Sequence, residues 1–219
     1  MNEAPNAHNS ADGAQCRADR LKLESPIESL FIDAFEKYVS SRVEIYPQHE
    51  VHTPWGMFRL DFLIQLGEKK IAIECDGKDF HDAYRDEWRD ALILGSKQVD
   101  SIYRFRGKDL FWNVNDCVHL IFYYHKDLFN FRYQHNYCRL ITEDLQERLE
   151  NDPFFSQETH WIDYAIRDDD DRMTGMANLV IHRRCQADKK GFWNSLFSIA
   201  EKNHGASLDV LTSLKKEKS

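Results

Sequence analysis

Two runs of alternating residues, joined by the pair Gly67-Glu68, constrain the fold of this chain more than any other feature. Residues 57–66 and 70–76 place apolar side chains at every second position, which is typical of β-strands with one buried face. The pair between them is a signal for a two-residue turn. We therefore predict an antiparallel β-hairpin with one face in a hydrophobic core.

Three carboxylates fall on the opposite face of this hairpin. A two-residue turn sets Asp61 opposite Glu74, whereas a four-residue turn sets it opposite Asp76, and both registers leave all three on one face. The predicted core face carries Leu60, Phe62, Ile64, Ile71 and Ile73. Like charges that face each other on a sheet are destabilising, so we expect a compensating cation. Ligands that are all oxygen select Mg²⁺ or Mn²⁺.

A plain structural interpretation competes with this metal site. The carboxylates would line a solvated face and pair with Arg59, Lys69 or Lys78. The residues after the second strand favour the site, because Gly77 lets the chain turn away and Lys78 can return to the acidic face as an electrostatic stabiliser. His81 can contact a phosphate or act as an acid or base near neutral pH, and a simple helix-entry residue fits it equally well.

Glu28 also has two interpretations. Ser25 and Glu28 have the spacing of a capping box at the start of a helix, with Pro26 in the first turn. Alternatively, this helix packs across the sheet and brings Glu28 towards the acidic face as an outer-sphere metal ligand. The sequence leaves both open.

The periodicities predict a mixed α/β core followed by a mostly helical C-terminal extension. The core is expected as a helix from 26, strands at 43–51, 57–66 and 70–76, a helix at 82–97, a strand at 101–105 and a helix at 108–125. Helices are expected in the extension at 142–150 and 192–202. We predict a flexible tail at 1–22, a core domain at 23–125 and an extension at 126–219.

Composition narrows the classes of protein. The 219 residues contain no uninterrupted apolar run of about 18 residues, so we expect a soluble protein without membrane contact. No export signal is visible and the five cysteines are an odd number, which favours reduced thiols and a cytoplasmic location. The net charge of -8 weighs against coating nucleic acid by bulk positive charge but leaves room for a local basic cleft.

A family resemblance is carried by four segments: SPIESLF, RLDFLI, IAIECDGKDFH and RDEWRDALILGSKQVDSIYRFRGKDL. Together they resemble the restriction-endonuclease-like nucleases of the PD-(D/E)xK superfamily, and within it the very-short-patch-repair endonuclease-like group of small bacterial domains. The likeness covers about residues 25–125 and implies a core of helix, three-stranded antiparallel meander, helix, strand and helix. The motif positions in this sequence are Glu28, Asp61, Glu74 with Asp76, His81, Arg89-Asp90 and Arg104-Phe105.

The resemblance implies metal-assisted hydrolysis of phosphodiester bonds, with a DNA endonuclease of bacterial repair, restriction or phage defence as the expected activity. Asp61 and Glu74, with a backbone carbonyl near Cys75, would hold Mg²⁺ or Mn²⁺, and Asp76 or Glu28 would hold or orient a second ion or water. Asp76 fills the position of the superfamily's lysine, as in the closer group. The role of that lysine therefore falls to Lys78, to His81 or to a water on the metal.

Two alternatives stay open beside the DNA endonuclease. The fold could serve as a non-catalytic module that binds nucleic acid or protein, or the substrate could be RNA. Arg85, Arg89 and Arg104 are candidate phosphate contacts, although the pattern of Arg85 and Arg89 beside acidic residues favours a solvated, ion-paired helix face.

The segment after residue 126 matches nothing familiar, and it could set substrate choice, a protein partner or the oligomeric state. It contains two His-x-x-Cys pairs, His135 with Cys138 and His182 with Cys185, which are the ligand types of a structural zinc site. Histidines and cysteines in an aromatic-rich segment are more commonly core residues, and we favour that interpretation.

Overall fold

The computed structural model describes residues 18–77, 83–136, 139–151, 158–170 and 172–216. It shows a mixed α/β protein built on a six-stranded sheet with the order β1-β2-β3-β4-β6-β5. In chain order, its elements are α1 (Pro26–Phe35), β1 (Glu44–Thr53), β2 (Gly56–Leu66), β3 (Lys69–Asp76), α2 (Ala83–Gly95), β4 (Ser101–Arg106), α3 (Gly107–Tyr124), α4 (Phe131–Asn136), α5 (Glu143–Asn151), β5 (Thr159–Arg167), β6 (Met173–Cys185), α6 (Phe192–Lys202) and α7 (Leu208–Lys216).

Helices cover both faces of the sheet. The core on one face contains buried residues of α1 and α3, and the core on the other face contains buried residues of α2, α6 and α7. All neighbouring strands are antiparallel except β3 and β4. Within the described residues, no helix is long and apolar enough to cross a membrane.

The first half of the chain has the predicted order of elements. A helix is followed by an antiparallel three-strand meander, then by a helix, a strand and a helix. Gly67 takes the left-handed conformation (φ 59°) in the two-residue turn, and Leu66 pairs with Lys69. The first of the two predicted registers is therefore confirmed, and its regular pairs run as far as Phe62 opposite Ile73.

Strands β1 and β2 exchange faces halfway along their length. Phe62 and Ile64 pack in the core beneath α1 and α3, whereas Leu60 packs in the core beneath α2. The exchange occurs where Gln48 has a positive φ of 53° and where the regular pairing between β1 and β2 skips Gln48 and Asp61. The prediction that Leu60 shares a face with Phe62 was wrong, because an irregularity in both strands breaks the period of two.

The carboxylate face of the hairpin is a core face as well. Leu63 and Ala72 lie on it and are buried against α2. The acidic residues therefore stand at the end of a second hydrophobic core rather than on a solvated surface.

The C-terminal segment differs from the predicted mostly helical extension. Helices α5 and α6 lie where they were expected, but β5 and β6 form a long hairpin that the sequence did not indicate. Strand β6 pairs with β4, from Ser101 opposite Cys185 to Phe105 opposite Ile181, so this segment completes the central sheet. The division into domains at residue 125 stays a prediction.

The predicted N-terminal tail is partly described. The main-chain N–H of Ala18 donates to the Glu36 carboxylate, and Arg20 forms an ion pair of 2.9 Å with Asp33. Residues 18–22 therefore lie against α1, and residues 1–17 are outside the described part of the chain.

Candidate active site

Asp61 and Glu74 stand beside each other where β2 separates from β3. The last regular pair of these strands is Phe62 with Ile73, and Asp61 and Glu74 are the next residue on each strand. The Asp61 side chain continues the ladder, because its Oδ2 accepts a hydrogen bond of 2.7 Å from the main-chain N–H of Cys75. One carboxylate is thereby held against the strand that carries the other.

This position is unfavourable for negative charge. Burial and the neighbouring Glu74 carboxylate raise the pKa of Asp61 to about 7, against the lowering effect of the Cys75 N–H, and Glu28 adds to the increase. Burial also raises the pKa of Glu74, although Arg89 and Arg104 oppose it. The two groups are held together at a cost in free energy.

Arg89 of α2 is the nearest cation to this pair. Its Nη2 lies 2.8 Å from Oε1 of Glu74, and the same nitrogen donates to the main-chain carbonyl of Arg59. The Arg89 side chain is 18% exposed. The interpretation of Arg89 as part of a solvated helix face was wrong, because this side of α2 packs on the acidic end of the sheet.

Arg104 occupies the neighbouring position on β4, beside Glu74 in the parallel ladder. Its Nε and Nη2 donate to the Asp90 carboxylate at 3.0 and 2.8 Å, and its Nη1 donates to Asp76 at 3.0 Å. Arg184 of β6 also donates to Asp90, which is fully buried. Arg104 is 3% exposed and committed to these partners, which argues against its predicted role as a phosphate contact.

Glu28 forms part of the predicted helix cap and also lies close enough to the acidic pair to act on it electrostatically. The Ser25 hydroxyl accepts a hydrogen bond from the N–H of Glu28 at 3.2 Å, which confirms the cap, and the Glu28 carboxylate accepts from the N–H of Glu24. The side-chain amide of Gln48, at the face exchange, donates to Glu28 at 2.9 Å. Glu28 is buried and acts electrostatically on Asp61, with its oxygens already bonded to protein donors.

The competing interpretation of a solvated, ion-paired sheet face is wrong for two of its three cations. Arg59 pairs with Glu24 at 2.7 Å, and Lys69 pairs with Asp127 at 2.6 Å. The third cation, Lys78, lies outside the described residues, as does the predicted site residue His81.

The structure thus brings together four of the six predicted site residues, Glu28, Asp61, Glu74 and Asp76, and the other two lie outside the described residues. It adds three residues that the predicted site did not include. Arg89 and Asp90 belong to one of the motif segments, which was the available signal for them, whereas Arg184 had none. These additions are Arg89, Asp90 and Arg184.

The donor set fits a hard divalent cation only in a limited form. Among the described residues, no three His, Cys, Asp or Glu side chains are grouped to hold a metal ion. Two carboxylates, Asp61 and Glu74, and the main-chain carbonyl of Cys75 remain as oxygen donors of the type that Mg²⁺ prefers. Oε1 of Glu74 is buried, and among the described residues its close cationic neighbour is Arg89, at 2.8 Å.

The zinc hypothesis gains no support from the described residues. The ring Nδ1 of His182 lies 3.0 Å from the hydroxyl of Thr159, and the ring of His135 contacts the main chain of its own helix. Cys138 is outside the described residues, so the structure does not test the disfavoured alternative of a zinc site.

Comparisons with known proteins were negative. No protein-family model, no curated protein and no solved structure matches this chain.

Proposed function

We propose that this protein is a metal-dependent nuclease that hydrolyses phosphodiester bonds, with DNA as its substrate. The observation that carries the proposal is the placement of Asp61 and Glu74, two adjacent carboxylates held against β3 in a setting that raises the pKa of both. Carboxylates kept together against their own repulsion are typical of functional sites. The resemblance of residues 25–125 to nucleases supports the same activity.

Asp61, Glu74 and the carbonyl of Cys75 would hold the ion. Bound there, Mg²⁺ would lower the pKa of a water molecule and offset the charge that develops on the scissile phosphate. The chain's own part is to orient the ligands. The N–H of Cys75 positions Asp61, and the Asp76–Arg104 pair holds the end of β3. Lys78 and His81 remain the proposed candidates for proton transfer or charge stabilisation.

A cleavage assay tests this proposal. Purified protein is incubated with circular, linear and single-stranded DNA, and with RNA, in Mg²⁺ or Mn²⁺ and in chelator. We expect metal-dependent cleavage that Asp61→Asn and Glu74→Gln both abolish, with circular dichroism showing that each variant is folded. Glu50→Gln, an exposed carboxylate on β1, is the matched control and should cleave like the wild type. Cleavage that survives both site substitutions would contradict the proposal.

A second candidate function rests on the Arg89–Glu74 ion pair. Because this pair balances one of the two carboxylates without any metal, the fold could be a module that binds nucleic acid or protein without catalysis. Such a module would bind DNA equally well in chelator, would not cleave it, and would not need Asp61.

A further inference from the structure

Arg89 contacts Glu74 through a single nitrogen of its guanidinium, Nη2. Both of its contacts in the described chain, with Glu74 and with the carbonyl of Arg59, are made by Nη2. A guanidinium has five N–H donors in a rigid fork, so Nε and Nη1 retain donors for another acceptor. The side chain is also partly open to solvent, which gives it room to move.

Arg104, in contrast, is fixed in position by its hydrogen bonds. All three of its nitrogens donate to carboxylates, and its side chain is 4% exposed. Moving it would break its bonds to the buried Asp90 and its bond to Asp76. Moving Arg89 would break only its contacts with one oxygen of Glu74 and with the carbonyl of Arg59. Of the two cations beside Glu74, Arg89 is therefore the one that can be exchanged.

A divalent cation bound to Oε1 of Glu74 would compete with Arg89 for that oxygen atom. Oε1 of Glu74 faces the guanidinium at 2.8 Å, so a divalent cation bound by Asp61 and Glu74 would meet a like charge at contact distance. Two cations this close in a buried setting repel each other strongly. A cation on this oxygen would therefore disfavour the present position of the Arg89 guanidinium.

We propose that Arg89 exchanges partners during the reaction cycle. It neutralises Glu74 while no metal is bound, leaves when a divalent cation binds Asp61 and Glu74, and then binds a phosphate oxygen of the substrate beside that cation. This inference rests on the proposed nuclease function. Arg89 thereby makes the affinities for metal and for substrate interdependent, because the displaced guanidinium needs a new anion.

Calorimetric titration of Mn²⁺ into the full chain at pH 8 tests the exchange directly. Removing the competitor in Arg89→Gln should tighten Mn²⁺ binding on the order of tenfold in the absence of substrate. Arg85→Gln is the matched control, because Arg85 lies one turn earlier on α2 and pairs with the exposed Asp209. It should bind Mn²⁺ like the wild type.

A kinetic measurement supplies the second half of the test. At saturating Mn²⁺, Arg89→Gln should raise the KM for DNA, since the variant has no guanidinium to bind the phosphate. Arg89→Lys, which keeps the charge but loses the fork, should give an intermediate Mn²⁺ affinity and serves if Arg89→Gln does not fold.

The outcomes separate this inference from the function on which it rests. Equal or weaker Mn²⁺ binding by Arg89→Gln, with clear binding by the wild type, overturns the exchange and leaves the metal site intact. An unchanged KM in a variant that binds Mn²⁺ more tightly overturns the phosphate contact. Absence of Mn²⁺ binding in the wild type and in Arg89→Gln overturns both the exchange and the proposed nuclease.

Discussion

Two clusters of arginines and carboxylates lie side by side on one face of the sheet, and they are built differently. In the first, Arg104 and Arg184 enclose Asp90, and Arg104 also reaches Asp76. In the second, Asp61 and Glu74 lie together, and among the described residues Glu74 forms its salt bridge with Arg89 alone. We call them the Asp90 cluster and the Glu74 cluster.

The electrostatics of the two clusters run in opposite directions. Burial by itself raises the pKa of Asp90, but Arg104 and Arg184 outweigh it, so the pKa is lowered. Burial and Glu74 raise the pKa of Asp61 to about 7. In the Asp90 cluster the arginines therefore stabilise the charged carboxylate, whereas in the Glu74 cluster burial and mutual repulsion disfavour it. Substitutions in the two clusters should differ in size and in sign.

Asp90→Asn is expected to have the largest effect on stability. It leaves two buried guanidiniums without their shared carboxylate, and breaking a buried pair of this kind costs roughly 3–5 kcal/mol. Urea unfolding followed by circular dichroism measures the loss. If the free energy of unfolding of Asp90→Asn were within about 1 kcal/mol of the wild-type value, Asp90 would not stabilise the fold more than Asp61 does. The two clusters would then not differ in their contribution to stability.

Arg184→Met should cost less, about 2 kcal/mol, because Asp90 keeps its bonds to Arg104. The same unfolding experiment checks it. The double variant with Asp90→Asn should be less than additive, since both changes act on one contact. Strict additivity would mean that Arg184 stabilises the fold without Asp90.

A buried histidine outside both clusters, His119, also makes the stability of the protein depend on pH. Burial, and then Lys126, lowers the pKa of His119 to about 4, and its Nδ1 contacts the Tyr133 hydroxyl at 3.1 Å. In the unfolded chain the pKa of His119 is near 6.5, so on acidification the unfolded state binds the proton before the folded state does. The stability present above pH 6.5 is therefore lost as the pH falls towards 4. The loss from His119 at pH 5 is about 2 kcal/mol.

The test compares wild type and His119→Gln in urea at pH 7.5 and pH 5. The variant should be less stable at pH 7.5 but should lose about 2 kcal/mol less on acidification. An identical loss in both proteins would show that the acid sensitivity comes from other groups.

Asp61→Asn should have the smallest effect on stability, and one of the opposite sign. It removes a carboxylate from beside Glu74, so we expect the free energy of unfolding to rise by up to about 1 kcal/mol. The same urea curves measure it. Clear destabilisation would indicate that Asp61 already has a counter-charge, which would weaken the case for a metal site.

Local and distant features of the sequence had different predictive power. The turn at Gly67-Glu68 determines the register of β2 and β3, so the adjacency of Asp61 and Glu74 is one of the two arrangements that segment 61–74 predicts by itself. The face of Leu60 did not follow, because Gln48 on another strand takes part in the irregularity. Arg89 was misjudged because a polar helix face reads the same whether it meets water or buried carboxylates.

Contacts between distant segments carried no local signal. Strand β6 lies against β4 although the residues around it show no clear period of two, and Arg184 reaches Asp90 only because of that pairing. The acidic pair of Asp61 and Glu74 could therefore be predicted from the sequence, whereas the contact of Arg184 with Asp90 could not.

The pairing of β4 with β6 has a consequence for biosynthesis. When Arg106 has left the ribosome, β4 can join β3, but its other edge stays open until Cys185 has also emerged. An open edge strand is a template for pairing with other chains, so ribosomes translating one message in close succession would bring such edges together. Chains released before residue 185 should therefore aggregate more readily than the full-length chain.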